Sequence, residues 1–287
     1  MTSIVIPAHN EARVIGRLLD SLLADSCETG SSENETDIVV VCNGCTDDTA
    51  RIAAARGPRV RVVEIPVPSK HAALRAGDDH ARGFPRVYVD ADVVITGADV
   101  RTLTEPLDDG TPGILATAPE RQIPLKACAW RVRAYYQVWQ RLPAVREGLF
   151  GRGVIAVSKA GHARIAELPP LMADDLAASL AFAPEERLVV GRARVVVHPP
   201  RTWPDLIKRR IRAAVSTAQV ERHQGPEEAS ARTSTADLKA ILRREPRLFM
   251  PVAVFVAAAV VARRGARKAV RAQDFDTWLR DESSRQN

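Results

Sequence analysis

The stretch R-V-Y-V-D-A-D-V-V-I at residues 86–95 places two carboxylates, Asp90 and Asp92, inside an apolar run. Side chains at positions i and i+2 of a strand lie on one face, so both carboxylates can reach the same point. Two acids so close would repel each other unless a cation lay between them. A hard divalent cation that carries its own anionic ligand is the expected partner.

Composition sets broad limits on partners and compartment. The 287-residue chain has a formal charge of +6, which suits polyphosphates, anionic lipids or nucleic acid. Aromatic residues make up only 5% and are not interleaved with basic ones, so we expect no nucleic-acid partner. The chain opens directly into a strand pattern, and its four cysteines follow no export signal, so we expect a cytoplasmic protein without disulfides.

The first hundred residues alternate between buried strands and amphipathic helices. Strands are predicted at residues 3–7, 37–42, 61–65 and 86–90, the last ending in the acidic pair. Asn10 is the expected N-cap of the first helix, Thr46 or Asp47 that of the second, and a third helix is expected over 69–82. Residues 26–36 are predicted to form a surface loop. This rhythm predicts an α/β fold with a mostly parallel sheet and helices on both faces.

Polar residues follow the carboxyl ends of the predicted strands. His9 follows the first strand, Asn43 the second, and Lys70 the third. Ligands of open parallel sheets bind at this edge, so these residues should meet the Asp90/Asp92 pair in one crevice.

The second half is predicted to add strands at residues 113–118, 153–157 and 188–197, the last bent or bulged at Gly191. A helix over 126–141 carries Trp130, Tyr135, Tyr136 and Trp139, which either stack on a sugar or pack in the core. A further helix starts at Asp174 and Asp175, where carboxylates also favour a helix terminus by simple capping.

The C-terminal region, residues 205–287, is Arg-rich and predicted to be helical. We expect it to be separate from a domain over residues 1–204, which divides into halves at 1–100 and 101–204. Residues 224–235 are predicted to form a linker. Residues 248–262 are fifteen uncharged residues between basic flanks, too short for a typical span of about twenty residues. A buried helix, an interfacial helix and a marginal span remain open, and the first two are favoured.

Five motifs follow one another along the chain: I-V-I-P-A-H-N-E at 4–11, N-G-C-T-D-D-T at 43–49, K-H-A-A-L-R-A-G at 70–77, D-A-D at 90–92 and A-D-D at 173–175. In this order they resemble the motifs of family-2 glycosyltransferases of the GT-A fold, in which D-A-D is the DXD motif. The resemblance covers roughly residues 1–200. The chain departs from the family at His9, where Tyr or Phe is usual, and near Cys42-Asn43, where an Asp is common.

The resemblance implies a metal-dependent, hexosyltransferase-type enzyme that moves a sugar from a nucleotide-diphosphate sugar to an acceptor hydroxyl, as in polysaccharide biosynthesis. Bound Mn²⁺ or Mg²⁺ would stabilise charge on the leaving diphosphate. Asp92 would ligate the metal directly and Asp90 would lie near the ribose or the metal, with Ala91 between them. The nucleoside pocket and diphosphate contacts would comprise Pro7, His9, Glu11, Asn43, Asp47 and Lys70. From the residues alone, Asp47 could be only a helix cap, Glu11 a first-turn partner of the helix dipole, and Lys70 a solvated charge.

On the acceptor side, the family pattern implies Asp175 as general base with Asp174 beside it, and hence inversion at the anomeric carbon. His198 could be a third metal ligand, and Arg201 could grip the diphosphate. The acceptor could be a lipid-linked sugar, a polysaccharide or a small metabolite. Peripheral contact with the inner face of the membrane through the C-terminal region is also expected.

Three alternatives belong to other classes. Cys42-Asn43-Gly44-Cys45 has redox or zinc spacing, but no second cysteine pair follows it. A sugar nucleotidyltransferase would share the sheet but needs a Gly-rich, Arg-containing loop after the first strand. A non-catalytic nucleotide-sugar-binding protein would not need Asp175.

Overall fold

The computed structural model describes residues 1–24, 36–108, 111, 113–168, 174–224, 233–271 and 283–285. The chain forms two compact units that alternate along the sequence. The first unit comprises Met1–Gln122, Leu149–Pro170 and Ala181–Val197, and the second comprises Ile123–Gly148, Leu171–Leu180 and His198–Asn287. Residues 26–35 of the predicted loop and 225–232 of the predicted linker lie outside the described residues, and the division at residue 204 stays a prediction.

The first unit is built on a mixed sheet in the order β3-β2-β1-β4-β7-β6-β8-β5. Its strands are β1 Ser3–Ala8, β2 Asp37–Asn43, β3 Val60–Ile65, β4 Arg86–Val89, β5 Val93–Val94, β6 Ala116–Gln122, β7 Val154–Val157 and β8 Arg187–Val197. The α-helices of the described residues are α1 Ile15–Leu23, α2 Thr49–Ala54, α3 Lys70–His80, α4 Gly97–Asp108, α5 Trp130–Trp139, α6 Pro143–Glu147, α7 Lys159–Ala166, α8 Asp174–Leu180, α9 Trp203–Gln224, α10 Thr235–Arg244 and α11 Phe249–Arg271.

The N-terminal half of the sheet is parallel, as predicted. Strand β1 lies between β2 and β4, and β3 extends the sheet beyond β2. Alternate residues of β2 point to opposite faces: Val40 joins a core with α1 and α4, whereas Val39 and Val41 pack against Ala73 of α3. Both faces of the strand are therefore buried, which explains its uninterrupted apolar sequence.

The other half mixes strand directions. Strand β7 is antiparallel to both β4 and β6, while β6 and β8 run parallel. The register between β6 and β8 shifts between Pro119 and Glu120, opposite Val190 and Arg194, so β8 bulges at Gly191 as predicted. Proline has no N–H to donate to a ladder, and Pro119 lies where the pairing breaks.

Three predicted boundaries are wrong. The strand expected at 113–118 begins at Ala116 and continues to Gln122, because pairing with β8 extends it into polar sequence. Strand β4 ends at Val89, so Asp90 and Asp92 lie in a turn between β4 and β5 rather than within a strand. Asn10 is not the N-cap of α1, which begins at Ile15 after Val14; Asn10 instead adopts a left-handed φ of 53°.

The second unit is helical. Tyr135 of α5 is 2% exposed and stacks on Phe255 of α11 at 5.1 Å between ring centroids. Tyr136 is also buried, whereas Trp130 is 55% exposed. Of the two roles predicted for these aromatics, core packing is therefore observed for both tyrosines.

The apolar segment near the C-terminus is helical. Residues Pro246–Lys268 are long and apolar enough to cross a membrane by length and composition, and 28% of the most apolar window is buried. One such helix is weak evidence for a span, because core helices of soluble proteins pass the same test.

Candidate functional site

Two loops at the carboxyl ends of β1 and β2 are joined by a dense set of hydrogen bonds. Asn43 Nδ2 donates to the Ala8 carbonyl at 2.9 Å, and the Thr46 amide donates to Asn10 Oδ1 at 2.8 Å. The Glu11 amide donates to Thr49 Oγ1 at 2.8 Å. These bonds satisfy backbone groups that helix and sheet leave unpaired, and they fix both loops before any ligand binds.

His9 and Asn43 lie next to each other, as the sequence predicted. His9 Nδ1 lies 2.6 Å from the Asn43 carbonyl oxygen, and because a carbonyl can only accept, Nδ1 carries the proton. Asn43 is 3% exposed, and His9 is half-buried. The structure therefore gives both residues a loop-joining role, and their contact with a nucleoside stays a prediction.

Asp47 and Glu11 also make structural contacts. Asp47 Oδ1 accepts from the Thr49 amide at 3.1 Å at the start of α2, and its Oδ2 accepts from the Ala12 amide at 3.1 Å. Glu11 is 9% exposed, and its carbonyl accepts from the Val14 and Ile15 amides. The N-cap of α2 is Asp48 rather than Thr46 or Asp47 as predicted, although Asp47 accepts from the first helical amide. Pro7 lies buried within β1.

Lys70 forms an ion pair with the acidic turn at Asp90–Asp92. Its Nζ donates to Asp90 Oδ1 at 2.9 Å, and the two side chains are 33% and 38% exposed. Ser69 caps α3 by accepting from the Ala72 amide, which places Lys70 at the first helical position. Lys70 is therefore an ion-pair partner of the D-A-D turn and not merely a solvated charge.

Glycine at position 153 allows the turn to pack closely on the neighbouring strand. The Asp90 amide donates to the Gly153 carbonyl at 2.8 Å, beside the start of β7. Gly153 has a φ of +65°, and a Cβ there would lie 2.5 Å from Val93 Cγ1 and 3.3 Å from Asp90 Oδ2. Only glycine fits this position without displacing the turn.

Sequence reasoning missed Arg17 of α1. Burial lowers the pKa of the Arg17 guanidinium, and the charge of Asp92 opposes that shift, so the two groups interact electrostatically. Each acid of the D-A-D turn thus has a cationic neighbour, Lys70 for Asp90 and Arg17 for Asp92. The signal in the sequence was a charged residue directly before the core leucines Leu18 and Leu19.

The cysteine pair is structural in this arrangement. Cys42 is 1% exposed, and burial, followed by the neighbouring Cys45, raises the pKa of its thiol to about 12. Cys45 Sγ donates to the Ala8 carbonyl at 3.4 Å and accepts from the Asn10 amide. Across the described ranges, no three His, Cys, Asp or Glu side chains form a group that could hold a metal by themselves.

The acceptor-side candidates belong to the second unit. Asp174 and Asp175 begin helix α8 as predicted, but their side chains lie outside the described part of the structure. The carbonyl of His198 accepts from Arg209 Nη1 at 3.4 Å. The Arg201 carbonyl accepts from the Ala129 amide at 2.9 Å, and its amide donates to Ser283 Oγ at 3.0 Å. The roles of these four side chains stay predictions.

Comparison with known families gives one match over more than half of the chain. The sequence model described as glycosyl transferase family 2 matches residues 3–163. That range contains β1, the N-G-C-T-D-D-T loop, Lys70 and the D-A-D turn.

Curated relatives match shorter stretches. A dolichyl-phosphate beta-glucosyltransferase of Trichomonas vaginalis is 39% identical over 98 residues, 32% of this chain and 29% of the relative. An undecaprenyl-phosphate 4-deoxy-4-formamido-L-arabinose transferase of Edwardsiella ictaluri is 31% identical over 125 residues, 42% of this chain and 38% of the relative. The alignments therefore span about a third of these relatives' length.

Solved structures share the fold at low sequence identity. The mannosyltransferase PcManGT of Pyrobaculum calidifontis, in complex with GDP-Man and Mn²⁺, has a TM-score of 0.58 and 21% identity, covering 94% of this chain and 75% of that one. Glucosyl-3-phosphoglycerate synthase of Mycobacterium tuberculosis, with Mn²⁺, UDP-glucose and phosphoglyceric acid, has a TM-score of 0.55 and 22% identity, covering 82% and 81%. The predicted GT-A architecture with a helical C-terminal extension is thereby confirmed.

Proposed function

We propose that this chain, which belongs to glycosyl transferase family 2, transfers a sugar from a nucleotide-diphosphate sugar to an acceptor hydroxyl. The observation that carries the proposal is the convergence of four segments in the first unit. Hydrogen bonds join the β1 and β2 loops, and an ion pair joins the start of α3 to the D-A-D turn. This edge is where open α/β sheets bind ligands.

The donor set of the turn fits Mn²⁺ or Mg²⁺. Asp90 and Asp92 offer carboxylate oxygens, the ligands that hard cations prefer, and both are partly exposed. Mg²⁺ is commonly held by one or two carboxylates plus substrate phosphates, so a site of two acids is sufficient. We propose Asp92 as the direct ligand, with Asp90 beside it and His198 as a candidate third ligand. A bound cation would supply Lewis-acid stabilisation of the leaving diphosphate.

The chain's own residues would then bind the sugar donor and remove the proton of the acceptor hydroxyl. Lys70, at the D-A-D turn, would add positive charge near the diphosphate, and Arg201 would contact the same group. Pro7, His9, Glu11, Asn43 and Asp47 would line the nucleoside pocket. Asp175 would accept the proton of the acceptor hydroxyl as that oxygen attacks the anomeric carbon, with Asp174 next to it. A single displacement of this kind inverts the anomeric configuration.

Two alternatives now carry less weight. Family membership favours transfer of a sugar over nucleotidyl transfer, since the first strand leads into P-A-H-N-E-A-R-V rather than a Gly-rich loop. The cysteine pair bonds to the β1 loop, and burial keeps the Cys42 thiol protonated.

We propose that the enzyme is cytoplasmic, contacts a membrane through its C-terminal region and takes a lipid-linked acceptor. An exposed apolar face on α11 supports this location. The names of two relatives specify dolichyl phosphate and undecaprenyl phosphate, which is consistent with an acceptor held at a membrane.

Thermal-shift screening against UDP-, GDP- and dTDP-sugars, each with and without Mn²⁺, tests the donor assignment. Ligand that binds only the folded state raises the melting temperature, so one nucleotide should stabilise the protein and do so more strongly with Mn²⁺. If no nucleotide sugar shifts the melting temperature with Mn²⁺ present, the proposed donor site is wrong.

A further inference from the structure

We propose that the exposed face of α11 docks onto an anionic lipid bilayer with the helix axis parallel to the membrane plane. The inference rests on the proposed action at a membrane and names the surface and the lipid chemistry. It does not depend on the identity of the sugar donor.

Helix α11 has two distinct faces. Val252, Phe255, Ala258, Ala262 and Ala266 are buried, and the helix packs against α5 and α9. A second set of large apolar side chains is exposed: Phe249 by 67%, Met250 by 61%, Val256 by 41%, Val260 by 41% and Val261 by 45%. At 3.6 residues per turn these five side chains fall within an arc of about 140°. We call this set the apolar face.

Basic residues border the apolar face at both ends. Beyond Val261 four exposed cationic side chains follow, three within the same arc and Arg263 about 20° outside it, and three exposed arginines precede Phe249. They are Arg263, Arg264, Arg267 and Lys268 on one side, and Arg243, Arg244 and Arg247 on the other. Long cationic side chains can reach lipid phosphates while apolar neighbours enter the acyl region, which is the pattern of interfacial helices.

An in-plane orientation fits the packing better than a span. Pro246–Lys268 is long enough to span, but its fifteen uncharged residues at 248–262 rise only about 22 Å, so a hydrocarbon core of about 30 Å would also enclose flanking charges such as Arg263 and Arg264. A span would also require the buried face to leave α5 and α9, including the stacked pair Tyr135 and Phe255.

Charge distribution also favours a lipid surface over a second copy of the chain. Because both ends of the apolar face are basic, pairing two such helices would bring like charges together in either direction. Juxtaposed like charges oppose association, whereas an anionic bilayer complements both ends at once.

Vesicle co-sedimentation of the full chain tests the surface. The variant V256D/V260D places two charges on the apolar face, and V67D/L188D places the same charges on exposed apolar residues of the first unit, 57% and 40% exposed. We expect wild type and V67D/L188D to bind vesicles of phosphatidylcholine with phosphatidylglycerol, and to bind less as NaCl rises. V256D/V260D should have a partition coefficient at least about tenfold lower, since each valine loses its transfer to an apolar medium.

Three results would overturn the proposal. The first is equal vesicle binding by V256D/V260D and wild type, and the second is an equal loss in V67D/L188D. The third is a change of oligomeric state in V256D/V260D with no change in vesicle binding, which would assign the face to a second copy. Nucleotide-sugar stabilisation of V256D/V260D, measured without vesicles, reports separately on the donor site and confirms that the variant is folded.

Discussion

At the scale of single residues, the geometry of the acidic turn depends on what surrounds it. Asp90 has Lys70 as its ion-pair partner, Asp92 interacts with Arg17, and the turn lies against Gly153. Partly exposed ion pairs contribute little to stability, about 0–1 kcal/mol. Their role here is to hold the two carboxylates in position within the turn.

The variant G153A should reduce both stability and donor binding. Alanine at a φ of +65° costs about 1–2 kcal/mol, and its Cβ would also press on Val93 and Asp90. The matched control is G57A, where φ is +83° but no atom lies within 4 Å of the added Cβ. We expect both variants to lose a similar amount of folding free energy from the strained backbone. Only G153A should show a further decrease in melting temperature and weaker Mn²⁺-dependent nucleotide binding. Equal behaviour of the two variants would show that Gly153 does not support the turn.

At the scale of secondary-structure elements, the buried carboxylate of Asp37 links the amino-terminal ends of neighbouring strands. Asp37 of β2 accepts from Ser3 Oγ at 2.9 Å, from Arg61 Nε at 3.1 Å and from the Arg82 amide at 3.0 Å. Burial by itself raises the pKa of Asp37, but these hydrogen bonds outweigh it and hold the pKa below the ordinary value. The bonds join β1, β3 and the chain that follows α3.

The variant D37N should therefore be destabilised in a pH-dependent way. Loss of the carboxylate should cost about 1–3 kcal/mol, because its buried partners lose an acceptor while Arg61, 28% exposed, stays partly solvated. A depressed carboxyl pKa contributes stability above the unfolded value of about 3.9 and loses it as pH falls through the folded value. The difference in unfolding free energy between wild type and D37N should be constant from neutral pH to about pH 5 and shrink below about pH 4.

Urea unfolding at several pH values measures that difference. The control is D48N, because Asp48 also pairs with an arginine, Arg51, but both side chains are exposed. Arg51 also lowers the pKa of Asp48, but because solvent screens this exposed pair we expect a much smaller pH-dependent change in D48N. A constant deficit of D37N down to the lowest pH would mean that its ionisation is not the source of the stability.

The elements that could be predicted are those whose pattern is local. The apolar run of β2, the third helix within 69–82 and the bulge at Gly191 follow from neighbouring residues alone. The turn at Asp90–Asp92 could not be placed, because strand β4 ends where pairing with β7 ends, and that partner lies more than sixty residues away. Asn10 was misassigned for the same reason: its side chain binds Thr46 rather than the following helix.

The candidate site likewise has features that could be predicted from the sequence and features that could not. Convergence of His9, Asn43, Lys70 and the acidic pair follows from strand order, and the first unit contains all of them. The loop-joining bonds of His9 and Asn43 and the proximity of Arg17 to Asp92 depend on side-chain packing between distant segments. No spacing rule carries that information.

At the scale of the whole molecule, the chain combines a GT-A sheet unit with a helical unit that exposes an apolar face. The net charge of +6 includes the basic borders of that face. The D-A-D turn lies in the first unit and the apolar face in the second, so separate variants test the proposed metal site and the proposed membrane contact.

Calorimetric titration of the stabilising nucleotide sugar into wild type, D92A and D175N, with and without Mn²⁺, tests the central claim most directly. Wild type and D175N should bind alike and more tightly with Mn²⁺, while D92A should bind at least about tenfold more weakly, a loss of about 1.4 kcal/mol or more. D175N should retain this binding yet transfer sugar at least about a hundredfold more slowly, because it lacks the general base. Equal Mn²⁺-dependent affinity of D92A and wild type would contradict the account, since the D-A-D turn would then not hold the donor.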